Sequence, residues 1–262
     1  MIVNNDFENI LEDLYKKDPC KVLPNAIWKT NDRLNNLQCS HICTDDEVLE
    51  IKGLDQNGIH ILWNKSRKID QSIRHIMEQA KFMIIHNDYY EQLDTDGYNL
   101  VKPYFRIKHD NNNILSYSLP EDFYIRQPNA KEEANEISDF IGRCYKDLHP
   151  SPETVKSWTT HRVFENSLWI WIMDKHKNIP AALGIAEFDS SVPEGSLEWI
   201  QVLPEYRGRG LGKVLVFELL NRLKGRAVFT TVSGEVDNET NPERLYRSCG
   251  FYGDDIWWLL QK

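Results

Sequence analysis

Val202-Leu203-Pro204-Glu205-Tyr206-Arg207-Gly208-Arg209-Gly210-Leu211-Gly212-Lys213 is the stretch on which the reading of this chain turns. Upstream of it, Ser196–Leu203 (SLEWIQVL) is strand-like; downstream, Gly210–Lys224 carries Leu211, Val214, Leu215, Leu219 and Leu223 at helical spacing. A strand therefore runs into a tight, basic turn that opens a helix. Gly208, Gly210 and Gly212 remove three Cβ atoms within five positions, so backbone can take unusual dihedrals and approach a ligand closely. The unpaired N–H groups of the helix's first turn, with the positive end of its dipole behind them, make an anion site. Arg207 and Arg209 add charge suited to phosphates. The same glycines also describe an ordinary helix start after a tight turn, so the pattern needs context.

The context excludes two familiar phosphate loops. GxxxxGK[ST] cannot be read here, and no Lys-Ser/Thr follows to serve magnesium for ATP. GxGxxG fails because Gly212 falls one position early, and a dinucleotide fold would place the turn after its first strand. Here several strands precede it. Phe123–Gln127 reads as a strand, Lys131–Leu148 as an amphipathic helix, and Ser151-Pro152-Glu153 as the start of another helix, capped by serine. Ser167–Asp174 and Ala181–Phe188 form a hairpin across the turn Lys175–Asn178. After the glycine turn, Val228–Val232 is a buried strand, Pro242–Ser248 a short helix and Ile256–Leu260 a closing strand. The order β-α-α-β-β-β-α-β-α-β gives a mixed α/β sheet, antiparallel early and parallel around the turn.

A second block, Asn241-Pro242-Glu243-Arg244-Leu245-Tyr246-Arg247-Ser248-Cys249-Gly250-Phe251, follows the turn. With Val202–Arg207 and Arg207–Gly212 it resembles the GNAT superfamily of N-acetyltransferases, marked by Gln/Arg-x-x-Gly-x-Gly/Ala and a later Asn…Leu-Tyr-x-x-x-Gly-Phe. The resemblance covers residues 121–262. It implies a GNAT-like acyl-CoA-binding fold and an acyltransferase using acetyl-CoA or another acyl-CoA as co-substrate, with no metal. It places the pyrophosphate on the amides of Arg207, Gly208, Arg209, Gly210, Leu211, Gly212 and Lys213. The pantetheine arm would pair with Gln201, Val202 and Leu203, in a slot between Leu197–Leu203 and Val228–Val232. Asn241 matches the family asparagine on the pantetheine side; a turn or cap before Pro242 is the alternative, and the two are compatible.

Transfer to an amine needs a base, an oxyanion donor and a partner for the departing thiolate. By the resemblance, the Val202 N–H serves as donor and Tyr246 lies near the sulfur, unless it is a packed helix aromatic. The position matching the family's glutamate base is Ser196, so the pattern is broken there. Glu198, two residues along the strand and by alternation on the same face, is the candidate base, against the reading of a salt-bridged surface glutamate. Glu187 and Glu235 stand in reserve. Trp158, His161, Trp169 and Trp171 are candidate walls of an acceptor pocket. A non-catalytic acyl-CoA sensor is the competing reading, supported by Ser196 and opposed by Tyr246.

The first part of the chain is a smaller α/β region. Phe7–Lys16 and Asp70–Ala80 read as helices; Ile59–Trp63, Phe82–His86 and Tyr104–Lys108 read as strands, with no glycine-rich loop. The turn formers His109–Asn113 and the Ser118–Asp122 segment set a boundary at 110–121, hence domains 1–115 and 121–262. Asn87-Asp88-Tyr89-Tyr90…Gly97-Tyr98 faintly repeats the second block, so this region is either a degenerate GNAT-like half or an unrelated α/β domain. The charge of −9 disfavours a nucleic-acid partner and suits a cationic one, a small-molecule or peptide amine. Five scattered cysteines, Cys20, Cys39, Cys43, Cys144 and Cys249, argue against a disulfide framework, and Cys39/Cys43 have no completing metal-ligand pair. With neither a secretory leader nor an apolar run near ~20 residues, a cytoplasmic, membrane-free location is expected.

Overall fold

The computed structural model describes residues 5–45, 47–145 and 148–262. The chain divides into two compact units, one made of 1–107, 233–243 and 253–262, the other of 108–232 and 244–252. This division differs from the boundary read at 110–121. The C-terminal segments belong to the first unit because the last strand pairs there, a long-range pairing that local composition does not signal.

The first unit contains α1 (Asn5–Lys17), α2 (Pro19–Val22), α3 (Ile27–Asn31), β1 (Gln38–Cys43), β2 (Val48–Leu54), β3 (Gly58–Asn64), α4 (Gln71–Gln79), β4 (Phe82–His86), α5 (Asn87–Tyr90) and β5 (Leu100–His109). β1, β2 and β3 form an antiparallel run, and β3 pairs parallel with β4 after the crossover helix α4. Asp70 caps α4 by accepting from Ile73 N at 2.8 Å. Ile59, Leu62, Ile73, Met77, Met83, Ile85, Tyr89 and Leu260 make its core. Strand β1 escapes a sequence reading because it has no buried face, and β2 because it buries Glu50 beside Ile51 and leaves Val48, Leu49 and Leu54 partly exposed, which breaks the apolar alternation.

The second unit contains β6 (Phe123–Arg126), α6 (Ala134–Cys144), α7 (Pro152–Trp158), β7 (Trp169–Asp174), β8 (Ile179–Asp189), β9 (Glu194–Val202) and α8 (Leu211–Leu223). Then follow β10 (Phe229–Glu235), α9 (Pro242–Ser248) and β11 (Tyr252–Gln261), which carry the chain between units. β6, β7, β8 and β9 are antiparallel neighbours in sequence order. β9 then pairs parallel with β10 over Glu194–Leu197, after the crossover helix α8. The antiparallel-then-parallel sheet agrees with the expected order, and the first unit repeats it in β1–β4. In that unit, however, the connection into α4 is Lys65-Ser66-Arg67-Lys68-Ile69-Asp70, without a glycine.

Some bounds differ. The helix expected over 131–148 runs only from Ala134 to Cys144, Tyr145 being extended, and Lys146 and Asp147 lie outside the described residues. Val228 is not part of β10 and is 67% exposed, because Arg226 and Ala227 still close the last turn of α8 onto Leu223 O. Helix α8 covers one face of the sheet: a Cβ on Gly184 would meet Leu215 and Leu219, and one on Gly195 would meet Leu223. Among the described residues no helix is long and apolar enough to cross a membrane.

Candidate active site

The turn between β9 and α8 is built from a buried anchor outward. Pro204–Tyr206 makes one tight helical turn that buries the Tyr206 ring, which meets Phe123 edge-on at 6.0 Å. The Tyr206 hydroxyl donates to the Asp174 carboxylate at 2.8 Å, tying the turn to the end of β7. Past this anchor, Gly208 and Gly210 adopt φ of +79° and +80°, where side chains are strained, and a Cβ on either would meet nothing within 4 Å. The backbone hand demands glycine, and the space beside it is open. Gly210 is the N-cap of α8, and the first helical bond runs from Val214 N to Gly210 O at 3.2 Å. The amides of Leu211, Gly212 and Lys213 thus have no acceptor within the helix and point out of its first turn. Gly212 serves a different purpose: a Cβ there would come within 3.1 Å of Leu245, so its absence lets α9 close in.

These features surround a groove of about 280 Å³ lined by Val202, Tyr206, Arg207, Gly208, Gly210, Leu211, Gly212, Lys213 and Leu245. Four other residues expected at the cofactor lie differently. Leu203 is fully buried and its amide donates to Ala181 O at 3.1 Å, which commits it to β8. Gln201 is buried opposite Leu183. The Arg209 guanidinium lies 5.3 Å over the Tyr206 ring. Asn241, at φ +45°, belongs to the first compact unit and does not line the groove.

Strand β9 contains a bulge that bears directly on the candidate base. Against β8, Trp199 is opposite Ile185 and Leu197 opposite Ala186, so Glu198 is an extra residue with no cross-strand counterpart. Opposed residues project from one face. Ser196, Trp199 and Gln201 therefore share the face of Glu187, Ile185 and Leu183, the face away from α8. The alternation that would put Glu198 on the face of Ser196 is broken by the bulge, which gives that face to Trp199 instead. What the structure gives Glu198 instead is proximity to Tyr246, whose phenol feels its charge.

Tyr246 lies on α9, buried, with its ring 5.7 Å from Phe251. Burial, reinforced by Tyr145, Cys249 and Glu198, holds its phenol well above the ordinary range, so it stays protonated at neutral pH. Tyr145, just past α6, likewise has a raised phenol, chiefly from partial desolvation.

The other candidates divide. Trp171 is a core residue: its Nε1 donates to Glu133 at 2.9 Å and its ring meets Phe140 edge-on. Trp169 is buried against Phe164 and Trp158. Trp158 stacks on Trp199 at 5.3 Å, and Tyr145 meets Trp199 edge-on at 6.3 Å. His161 Nδ1 lies 3.7 Å from the carboxylate of the buried Glu187. Glu235 is in the first unit, paired with Lys102 at 3.0 Å. Sequence reasoning missed Trp199 and Tyr145 as wall residues. Trp199 was hidden by the bulge, which shifts it onto the Ser196 face; Tyr145 fitted the helical spacing of α6 equally well.

Known proteins fit this geometry. Residues 134–251 match the model of the acetyltransferase (GNAT) family. The fold is similar to that of a GCN5-related N-acetyltransferase from Sphaerobacter thermophilus (TM-score 0.62, 15% identity, 84% of this chain and 78% of that one). A GNAT-family acetyltransferase from Colwellia psychrerythraea aligns at TM-score 0.63 and 13% identity over 97% of each chain. A tandem GNAT protein from the clavulanic acid biosynthesis pathway aligns at 0.57 and 12% identity over 99% of this chain and 95% of that one. At such identities the likeness is one of fold, and with the tandem protein it runs through both compact units. No curated protein matches the chain in sequence.

Proposed function

We propose, from the match of residues 134–251 to the acetyltransferase (GNAT) family, that the chain transfers an acyl group, acetyl first, from acyl-CoA directly to a primary amine. The observation that carries this reading is the turn Arg207–Lys213. Gly208 and Gly210 leave open space where Cβ atoms would stand, and Leu211, Gly212 and Lys213, whose amides have no acceptor within the helix, line a groove. A pyrophosphate needs such donors and such clearance. Arg207 and Lys213 supply charge at the rim of the groove, and the Val202 backbone is the proposed oxyanion donor. Acyl-CoA brings the activated thioester; the protein's own residues bind it, orient the amine and manage charge.

In this reading Tyr246 donates a hydrogen bond to the sulfur as negative charge develops there. A buried phenol with a raised pKa is a poor source of a full proton transfer but a dependable donor. Glu198 contributes through its charge beside that phenol, and as the extra residue of the bulge it remains the proposed acceptor of the amine's proton. Gln201 and Arg209 stay in the proposal as outer contacts of the pantetheine and phosphates; Leu203, buried with its amide given to Ala181 O, and Asn241, in the other compact unit, do not. The sensor reading keeps one observation in its favour, the serine at position 196. Release of free CoA thiol from acetyl-CoA, measured against a panel of primary amines, separates the two. Amine-dependent release supports the transferase; tight acetyl-CoA binding with no release on any amine supports the sensor.

A further inference from the structure

On the face of the sheet away from α8, a buried carboxylate stands beside an aromatic wall, and the acyl-CoA groove does not use it. Glu187 on β8 is buried, directly opposite Ser196 on β9, so both side chains project from the same face. The Ser196 hydroxyl is buried and has no hydrogen-bond partner among the described residues. The imidazole of His161 approaches Glu187 to 3.7 Å and is itself partly exposed. Along the same face stand Trp199, the Trp158 stacked on it, and Tyr145 at its edge. Asp189, also on this face, accepts two hydrogen bonds of 2.7 and 2.8 Å from Arg162.

A carboxylate, an unpaired hydroxyl and indole faces together recognise a cation: the acid supplies charge, the hydroxyl a directed acceptor, the rings their negative faces. The cluster is set apart from the reacting amine, whose proton goes to Glu198 in the reading above. It also lies about two residues, roughly 7 Å, along β9 from the bulge beside Tyr246. We propose that Glu187, Ser196, Trp158 and Trp199 form an acceptor subsite for a second, non-reacting ammonium group, so that the preferred substrates are diamines with an apolar spacer. This rests on the amine-acyltransferase reading above and names its substrate class.

The test compares 1,5-diaminopentane with pentylamine as acceptors for acetyl-CoA, in the full chain, in E187Q and in S196A. The wild type should favour the diamine by about 10- to 100-fold in kcat/KM, the range expected of one charge-assisted contact. E187Q should erase that preference while pentylamine turnover and acetyl-CoA affinity hold. S196A removes a hydroxyl with no partner, so it should stay folded, and it should weaken diamine turnover several-fold. Equal use of the two amines by the wild type, or a preference that survives E187Q, overturns the subsite and leaves the transferase reading intact. Acetyl-CoA binding with neither amine acetylated overturns the acceptor assignment and the subsite together. Absence of acetyl-CoA binding overturns the proposed function itself.

Discussion

A phenol inside a protein can serve a departing thiolate in two ways, by giving up its proton or by holding it out. In the proposed reading Tyr246 serves in the second way, since burial and the nearby Glu198 charge both oppose its ionisation. Removing one hydrogen bond to a charged group costs about 1.5–3 kcal/mol. Tyr246→Phe should therefore lower kcat by about 10- to 100-fold and leave acyl-CoA affinity unchanged, because only the transition state uses the hydroxyl. Single-turnover kinetics beside equilibrium binding checks this; a parallel fall in both would make Tyr246 a packing residue. The residue was legible in sequence because Leu245-Tyr246…Gly250-Phe251 keeps a recognisable spacing. The role of Glu198 was not, because a bulge is one extra residue in a pairing register and leaves no mark on composition.

At the scale of elements, the strand, turn and helix around Arg207–Lys213 were readable because each rests on local chemistry: β-formers, positive-φ glycines and a 3.6-residue period. β11 is the contrary case. As a strand it was readable from Ile256–Leu260, but its partner was not, and it pairs with β4, Trp257 opposite His86 through Gln261 opposite Phe82. Trp257 donates its indole N–H to Cys20 O at 2.7 Å, and Trp258 stacks on Tyr90 at 3.7 Å. A fragment of residues 121–262 holds every residue of the glycine turn but leaves this strand without its neighbours. An unpaired apolar strand edge is an aggregation template. The fragment should therefore be mainly insoluble or unfolded, as read by circular dichroism and light scattering. Adding back residues 1–120 as a separate chain should restore solubility. A monomeric fragment with a cooperative melt would show that the last strand is dispensable.

At the scale of the molecule, the composition anticipated a globular α/β protein with an acidic balance, and the place of residues 233–243 and 253–262 in the first unit became visible only through pairing in space. Acid stability offers a test of the second unit. Burial alone would raise the Asp189 carboxyl, yet hydrogen bonds from Arg162 and Ser191 outweigh it and hold the pKa below the ordinary value. Its stabilisation is therefore full above the unfolded pKa of about 3.9 and fades as pH falls through the lower folded value. Arg162→Leu leaves a buried carboxylate without its counter-ion, at a cost of about 3 kcal/mol at pH 7. That difference should close near pH 3, where the acid is protonated in the variant. Urea midpoints at the two pH values decide it; a deficit of equal size at both would mean that Arg162 acts through packing.

The central claim, that the glycine turn receives the phosphates of acyl-CoA, is tested most directly by calorimetric titration of acetyl-CoA into the wild type and Gly210→Asp. The aspartate sets a carboxylate at the entrance to the helix-start amides, and its Cβ fills the open space beside them. The fold should tolerate the change at the expense of a strained φ, about 1–2 kcal/mol. The account predicts saturable binding to the wild type, none by ATP or NAD, and no measurable acetyl-CoA binding to a variant that still melts cooperatively. Undiminished affinity in that folded variant would contradict it.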